Sequence, residues 1–180
     1  MKTLVVITFF LASCVVSESG AAKAGDLVRT SCARASYPVI CRNMLGNYTT
    51  TVKTPRDVAQ AALTVSLDHA SKFLVYLGTL KGFVKAEMKA LSDCVELIAT
   101  SARHLGMSLA KIKTINVGDP GFVYNLATIK SFASAALTDD DTCGAGFKDL
   151  NVGIRAEFKA NLDKVTMVTS NALYLINCVQ

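Results

Sequence analysis

From Val84 to Ile112, apolar side chains recur at Val84, Met88, Leu91, Val95, Ile98, Ala102, Leu105, Leu109 and Ile112, alternately four and three residues apart. That spacing keeps one stripe in line along an α-helix, whereas a strand would need a period of two. Nine positions without a break predict a long helix lying against neighbours in coiled-coil fashion. Such a helix draws most of its stability from burying its stripe, so the rest of the chain must supply partners of similar length.

Three more long helices are predicted. Thr54-Pro55 is a start signal: threonine caps free amides, proline suits the first turn, and Asp57 complements the helix dipole. Ala59, Leu63, Leu67, Ala70, Leu74 and Leu77 then form one stripe, with Gly78 and Gly82 closing this helix and opening the next. After the turn cluster Val117-Gly118-Asp119-Pro120-Gly121, the same spacing returns at Phe122, Leu126, Ile129, Ala133 and Ala136. That helix is expected to end in an acidic turn, Asp139-Asp140-Asp141, ahead of Cys143. Ile154, Phe158, Leu162, Val165, Val168, Ala172, Leu175 and Val179 mark the last helix. Upstream, Leu27 to Met44 reads as two short helical pieces broken at Tyr37-Pro38, with Cys32 and Cys41 on either side. Short connections favour antiparallel neighbours. The expected fold is all-α: an up-down-up-down four-helix bundle over about residues 54–180, preceded by a helical hairpin over about residues 27–46. Half of the 180 residues are hydrophobic, enough for one core and too few for two domains.

Met1-Lys2 followed by the apolar run Thr3 to Val16 has the form of a secretory signal peptide, and is too short to span a bilayer. The leader is expected to cover residues 1–22, with cleavage between 18 and 25, leaving one secreted domain over 23–180. Cleavage removes Cys14 and leaves five cysteines for an oxidising compartment. Four cysteines permit three pairings. The nearness of Cys32 to Cys41 selects that pair, Cys94–Cys143 remains, and Cys178 is expected as a free thiol. Asn47-Tyr48-Thr49 is an acceptor triplet for N-glycosylation. The net charge of +5 is modest and scattered. It lacks the concentrated basic face of a nucleic-acid binder and suits weak association with an anionic wall polymer.

The chain is poor in catalytic signals. His69 and His104 sit on predicted helices with no nucleophile motif around them. Asp139-Asp140-Asp141 fails the calcium-loop template, since Cys143 stands where the third ligand belongs, and reads as a solvated turn. Cys143-Gly144-Ala145-Gly146 lacks the third glycine and the lysine of a phosphate loop. The cysteines show no Cys-x-x-Cys spacing for zinc or redox work. The reading is a protein with no catalytic residues, metal or cofactor. Polar faces of mixed charge favour a bundle core over a membrane surface. A lipid carrier or a structural bundle is the alternative of another class.

Cys32 with Tyr37-Pro38 and Cys41, the run Ala90-Leu91-Ser92-Asp93-Cys94-Val95-Glu96, and Ser134-Ala135-Ala136-Leu137-Thr138 through Thr142-Cys143 with Gly146-Phe147 occur in that order. In these segments the chain resembles the plant family of invertase and pectin methylesterase inhibitors, and the resemblance covers the whole mature chain. It implies a secreted four-helix bundle with the same two disulfides, which acts by binding an enzyme. The invertase branch typically carries Pro-Lys-Phe in a loop, a tripeptide absent here. The resemblance therefore favours pectin methylesterase as partner, with acid invertase as the alternative. In that branch the middle helices cover the enzyme's substrate cleft. Glu96 and Thr142 match family contacts, while Thr100 and Arg103 stand where the family usually has acidic groups. Lys89, Asp93, Glu96, Thr100 and Arg103 share one side of the long helix by the four-three spacing, pointing away from the core.

Overall fold

The computed structural model describes residues 24–81, 84–147 and 152–180, so the expected leader and Cys14 lie outside the described residues. Six α-helices follow in order: α1 (Ala24–Ser31), α2 (Pro38–Met44), α3 (Pro55–Thr79), α4 (Lys85–Ile112), α5 (Phe122–Gly146) and α6 (Val152–Asn177). Short 3-10 turns at Cys32–Arg34 and Gly46–Tyr48 flank α2, and no strand occurs among the described residues. The last four helices make a closed ring. α3 packs on α4, α4 most extensively on α5, α5 on α6, and α6 returns to α3, so the expected bundle is present. The small hairpin lies against the α3 and α6 side, with α1 on α3 and α2 on α6.

Local chemistry sets the ends of these helices. Thr54 Oγ1 accepts from Asp57 N at 3.1 Å, and the Asp57 carboxylate accepts from Thr54 N at 2.9 Å. This reciprocal cap, with Pro55 at the first position, confirms the start read from sequence. Glu87 accepts from Val84 N at 3.0 Å at the head of α4. Between α4 and α5, Gly118 takes φ +96°, which glycine adopts without strain. Arg56 Nη1 donates to the Ile115 carbonyl, fastening this loop to the start of α3.

The buried line of α4 differs from the apolar stripe. Val84 and Met88 are 65 % and 54 % exposed. The line runs instead through Cys94, Ile98, Ser101, Leu105, Ser108 and Ile112, all buried. Leu91, Val95, Ala102 and Leu109 are partly buried against the core. Serine fits here because it is small enough for close helix approach, and Ser108 Oγ donates to the Ile129 carbonyl of α5 at 2.8 Å.

The acidic run is also not a turn. α5 continues through Asp139-Asp140-Asp141 to Gly146, and its buried line Ala133, Ala136, Asp140, Cys143 and Phe147 keeps the spacing without interruption. Asp140 is therefore in the core and only its neighbours are solvated, which corrects the reading of a solvated turn. At the α5–α6 contact, a Cβ on Gly144 would lie 2.9 Å from Leu162 Cδ2, so the absence of a side chain permits the approach.

Disulfides join Cys32 to Cys41 and Cys94 to Cys143, as expected. Cys178 does not stand as the free thiol of the sequence reading. It is disulfide-bonded, its partner lies outside the described residues, and no described cysteine is free. The odd count came from discarding Cys14 with the leader, whereas the full chain carries six cysteines. A further tie holds the hairpin down. Asn171 of α6, fully buried, accepts from Tyr37 N at 3.0 Å and donates to Tyr37 O at 3.1 Å.

Candidate partner-binding face

The Cys94–Cys143 bond brings the α-carbons of α4 and α5 to 4.5 Å and fixes the seam between these helices. Beside the bond, a groove of about 240 Å³ opens outward, with Lys89, Asp93 and Leu97 on one bank and Thr142 and Gly146 on the other. Lys89 and Asp93 pair across one helical turn at 3.1 Å, both well exposed. Such a pair contributes little to stability and leaves both groups able to exchange partners.

Glu96, Thr100 and Arg103 continue the outer side of α4 beyond the groove. Glu96 and Arg103 are exposed and Thr100 is half-buried, and Arg103 Nη2 donates to Thr100 Oγ1 at 2.9 Å. Thr142 is exposed on α5, its hydroxyl donating to the Thr138 carbonyl at 2.7 Å. The structure thus sets Thr142 across from Lys89 and Asp93. Glu96, Thr100 and Arg103 form their own line, with no hydrogen bond across to Thr142 among the described residues. Small exposed side chains on α5, Ser131, Ser134 and Thr138, keep the middle of that helix's solvent side low and polar, while Val123 and Tyr124 stand exposed at its start. The surface suits contact by another macromolecule better than enclosure of a small ligand.

His104 and Asp139 were not linked by sequence reasoning. Their side chains meet across the seam, Nδ1 to Oδ2 at 3.0 Å, and the imidazole stacks on Phe132 of α5 with centroids 6.2 Å apart. No local motif signals this pairing, since 35 residues separate the partners. It resembles the acid and histidine of a catalytic triad, but Ser108, one turn further along α4, gives its proton to a main-chain carbonyl and not to the ring. Among the described residues, no three His, Cys, Asp or Glu side chains gather closely enough to hold a metal ion.

A family model described as plant invertase/pectin methylesterase inhibitor matches residues 26–175. The chain belongs to this inhibitor family. Among its relatives in the family, Pectinesterase inhibitor 3 of Arabidopsis thaliana is 40 % identical, the match covering 97 % of this chain and 89 % of that protein. The 21 kDa protein of Daucus carota is 32 % identical over 91 % of this chain and 88 % of its own length. Pectinesterase inhibitor 11 of Arabidopsis thaliana is 30 % identical over 94 % and 92 %. No helix among the described residues is long and apolar enough to cross a membrane.

Proposed function

We propose that this chain is a secreted inhibitor of pectin methylesterase that docks the outer face of α4 and α5 over the enzyme's substrate cleft in a stoichiometric complex. The observation that carries the reading is the near full-length match to a pectinesterase inhibitor at 40 % identity. The exposed α4–α5 seam, pinned by its own disulfide, supplies the surface. Glu96, Thr100, Arg103 and Thr142 are its contact residues, because a partner laid along the seam meets both helices at once. Asn47 is exposed on the turn after α2, on the hairpin that packs against α3 and α6, so a glycan there would leave the α4–α5 face clear. The chain itself performs no hydrolysis in this reading.

The test is to titrate the purified mature chain against a plant pectin methylesterase and against a cell-wall invertase. Methanol release by the esterase is expected to fall in proportion to added protein and reach its floor near one equivalent. Loss of invertase activity alone would overturn the choice of target. No effect on either enzyme would overturn the inhibitor reading.

A further inference from the structure

The centre of the bundle holds a group that neither disulfide bonding nor partner binding explains. Asp140 of α5 is fully buried, as are Ser101 of α4 and Thr169 of α6, whose hydroxyls act on its carboxyl. Both carboxyl oxygens and both hydroxyls lack hydrogen-bond partners of normal geometry, although the hydroxyls are close enough to act on the acid. We propose that Asp140, Ser101 and Thr169 form a proton-operated clamp joining α4, α5 and α6, closed when the carboxyl is protonated and loosened when it ionises. A protonated carboxyl has one donor and spare acceptors, which match two hydroxyls that can each donate and accept. An ionised one could still accept from both hydroxyls, but it would be a charge buried in the core, and that burial is costly unless a cation offsets it.

Among the described residues, the charged groups around the clamp do not supply that cation. On the same helix Asp139 and Asp141 add negative charge. On α4, His104 is engaged by Asp139. On α6, Lys159 pairs with Asp163 at 2.5 Å, beside the cavity of about 540 Å³ that Asp140 and Asp141 also line. Burial first, and the two flanking aspartates after it, push the Asp140 carboxyl up to about 7, while the hydroxyls pull the other way. A group raised in the folded state contributes stability that is whole below its unfolded value and is lost as pH rises through the folded one. For Asp140 the loss runs from about pH 4 to about pH 7 and levels off above. The clamp thus matches the fold to acidic surroundings. Its effect on the α4–α5 face rests on the inhibitor reading, while its effect on stability does not.

The experiment compares thermal unfolding of the full mature chain and D140N at pH 4.5 and pH 7.5. The wild-type midpoint is expected to drop by roughly 6 to 12 °C between those values, from the linkage and the usual size dependence. D140N keeps the shape but cannot ionise, so it should show a drop at least about 5 °C smaller. Should D140N fail to fold, the carboxyl-carbon NMR titration of wild-type Asp140 reads the proton directly and should show a midpoint near neutrality. Equal drops in the two proteins, or a carboxyl that titrates below pH 5, overturn the clamp. The expected shifts without inhibition of the esterase at either pH would support the clamp and refute the inhibitor reading.

Discussion

Replacing both Cys94 and Cys143 by alanine is the perturbation whose size follows most directly from the fold. The two residues are 49 apart in sequence, and their bond closes a ring that contains most of α4, the whole connection to α5 and nearly all of α5. In the chain-entropy treatment a loop of about 50 residues contributes about 4 kcal/mol, against about 2.7 kcal/mol for one of about 10 residues. The Cys32–Cys41 bond, with a separation of 9, is the internal control. Cys94 and Cys143 are buried at 1 % exposure and Cys32 and Cys41 at 0 %, so lost packing is common to the two variants and ring size sets the difference. Urea unfolding followed by far-ultraviolet circular dichroism should therefore rank C94A/C143A as more destabilised than C32A/C41A by at least about 1 kcal/mol. The reverse order, or a C94A/C143A protein within about 1 kcal/mol of wild type, would show that the helical seam is held by packing alone and the bond is redundant.

Three further outcomes are expected. Glu96→Ala, Thr142→Ala and Arg103→Asp should each weaken inhibition by about 5- to 100-fold, because a partner's polar group is left unpaired, while the melting midpoint stays nearly constant; unchanged inhibition in all three would place the contact elsewhere on the bundle. Asn171→Ala should cost about 2 kcal/mol by orphaning the amide and carbonyl of Tyr37, and hydrogen exchange should report faster opening of the hairpin than of α4. Gly144→Val should cost about 1 to 3 kcal/mol by driving a side chain into Leu162, and pairing it with Leu162→Ala should recover part of that loss in equilibrium unfolding.

Periodicity carried most of the fold because a long helix repeats its burial requirement every turn. The same count misplaced the centre of α4, since it admitted Val84 and Met88 as apolar and passed over Ser101 and Ser108. What decides burial there is size at a close helix approach, a tertiary property that no single residue type announces. Asp140 shows the opposite error. Its place in the line Ala136, Asp140, Cys143 was visible, but three acids in a row read as solvent-facing because buried carboxyls are rare. The contacts of Asn171 with Tyr37 and of His104 with Asp139 join residues 134 and 35 positions apart, and only the folded chain brings them together. For the proposed partner-binding face the sequence placed the α4 residues on one side by spacing, while the position of Thr142 across the groove depended on the disulfide register.

Because α6 returns to α3, the bundle begins and ends at one place: Thr54, Pro55 and Arg56 share a pocket of about 210 Å³ with Val179 and Gln180. A short flexible tether could bridge these points, and new termini could then be opened in the exposed loop around Gly118 without cutting a helix. The same geometry makes the four helices a cassette that can be inserted into another protein's surface loop, since its entry and exit strands of chain would leave side by side.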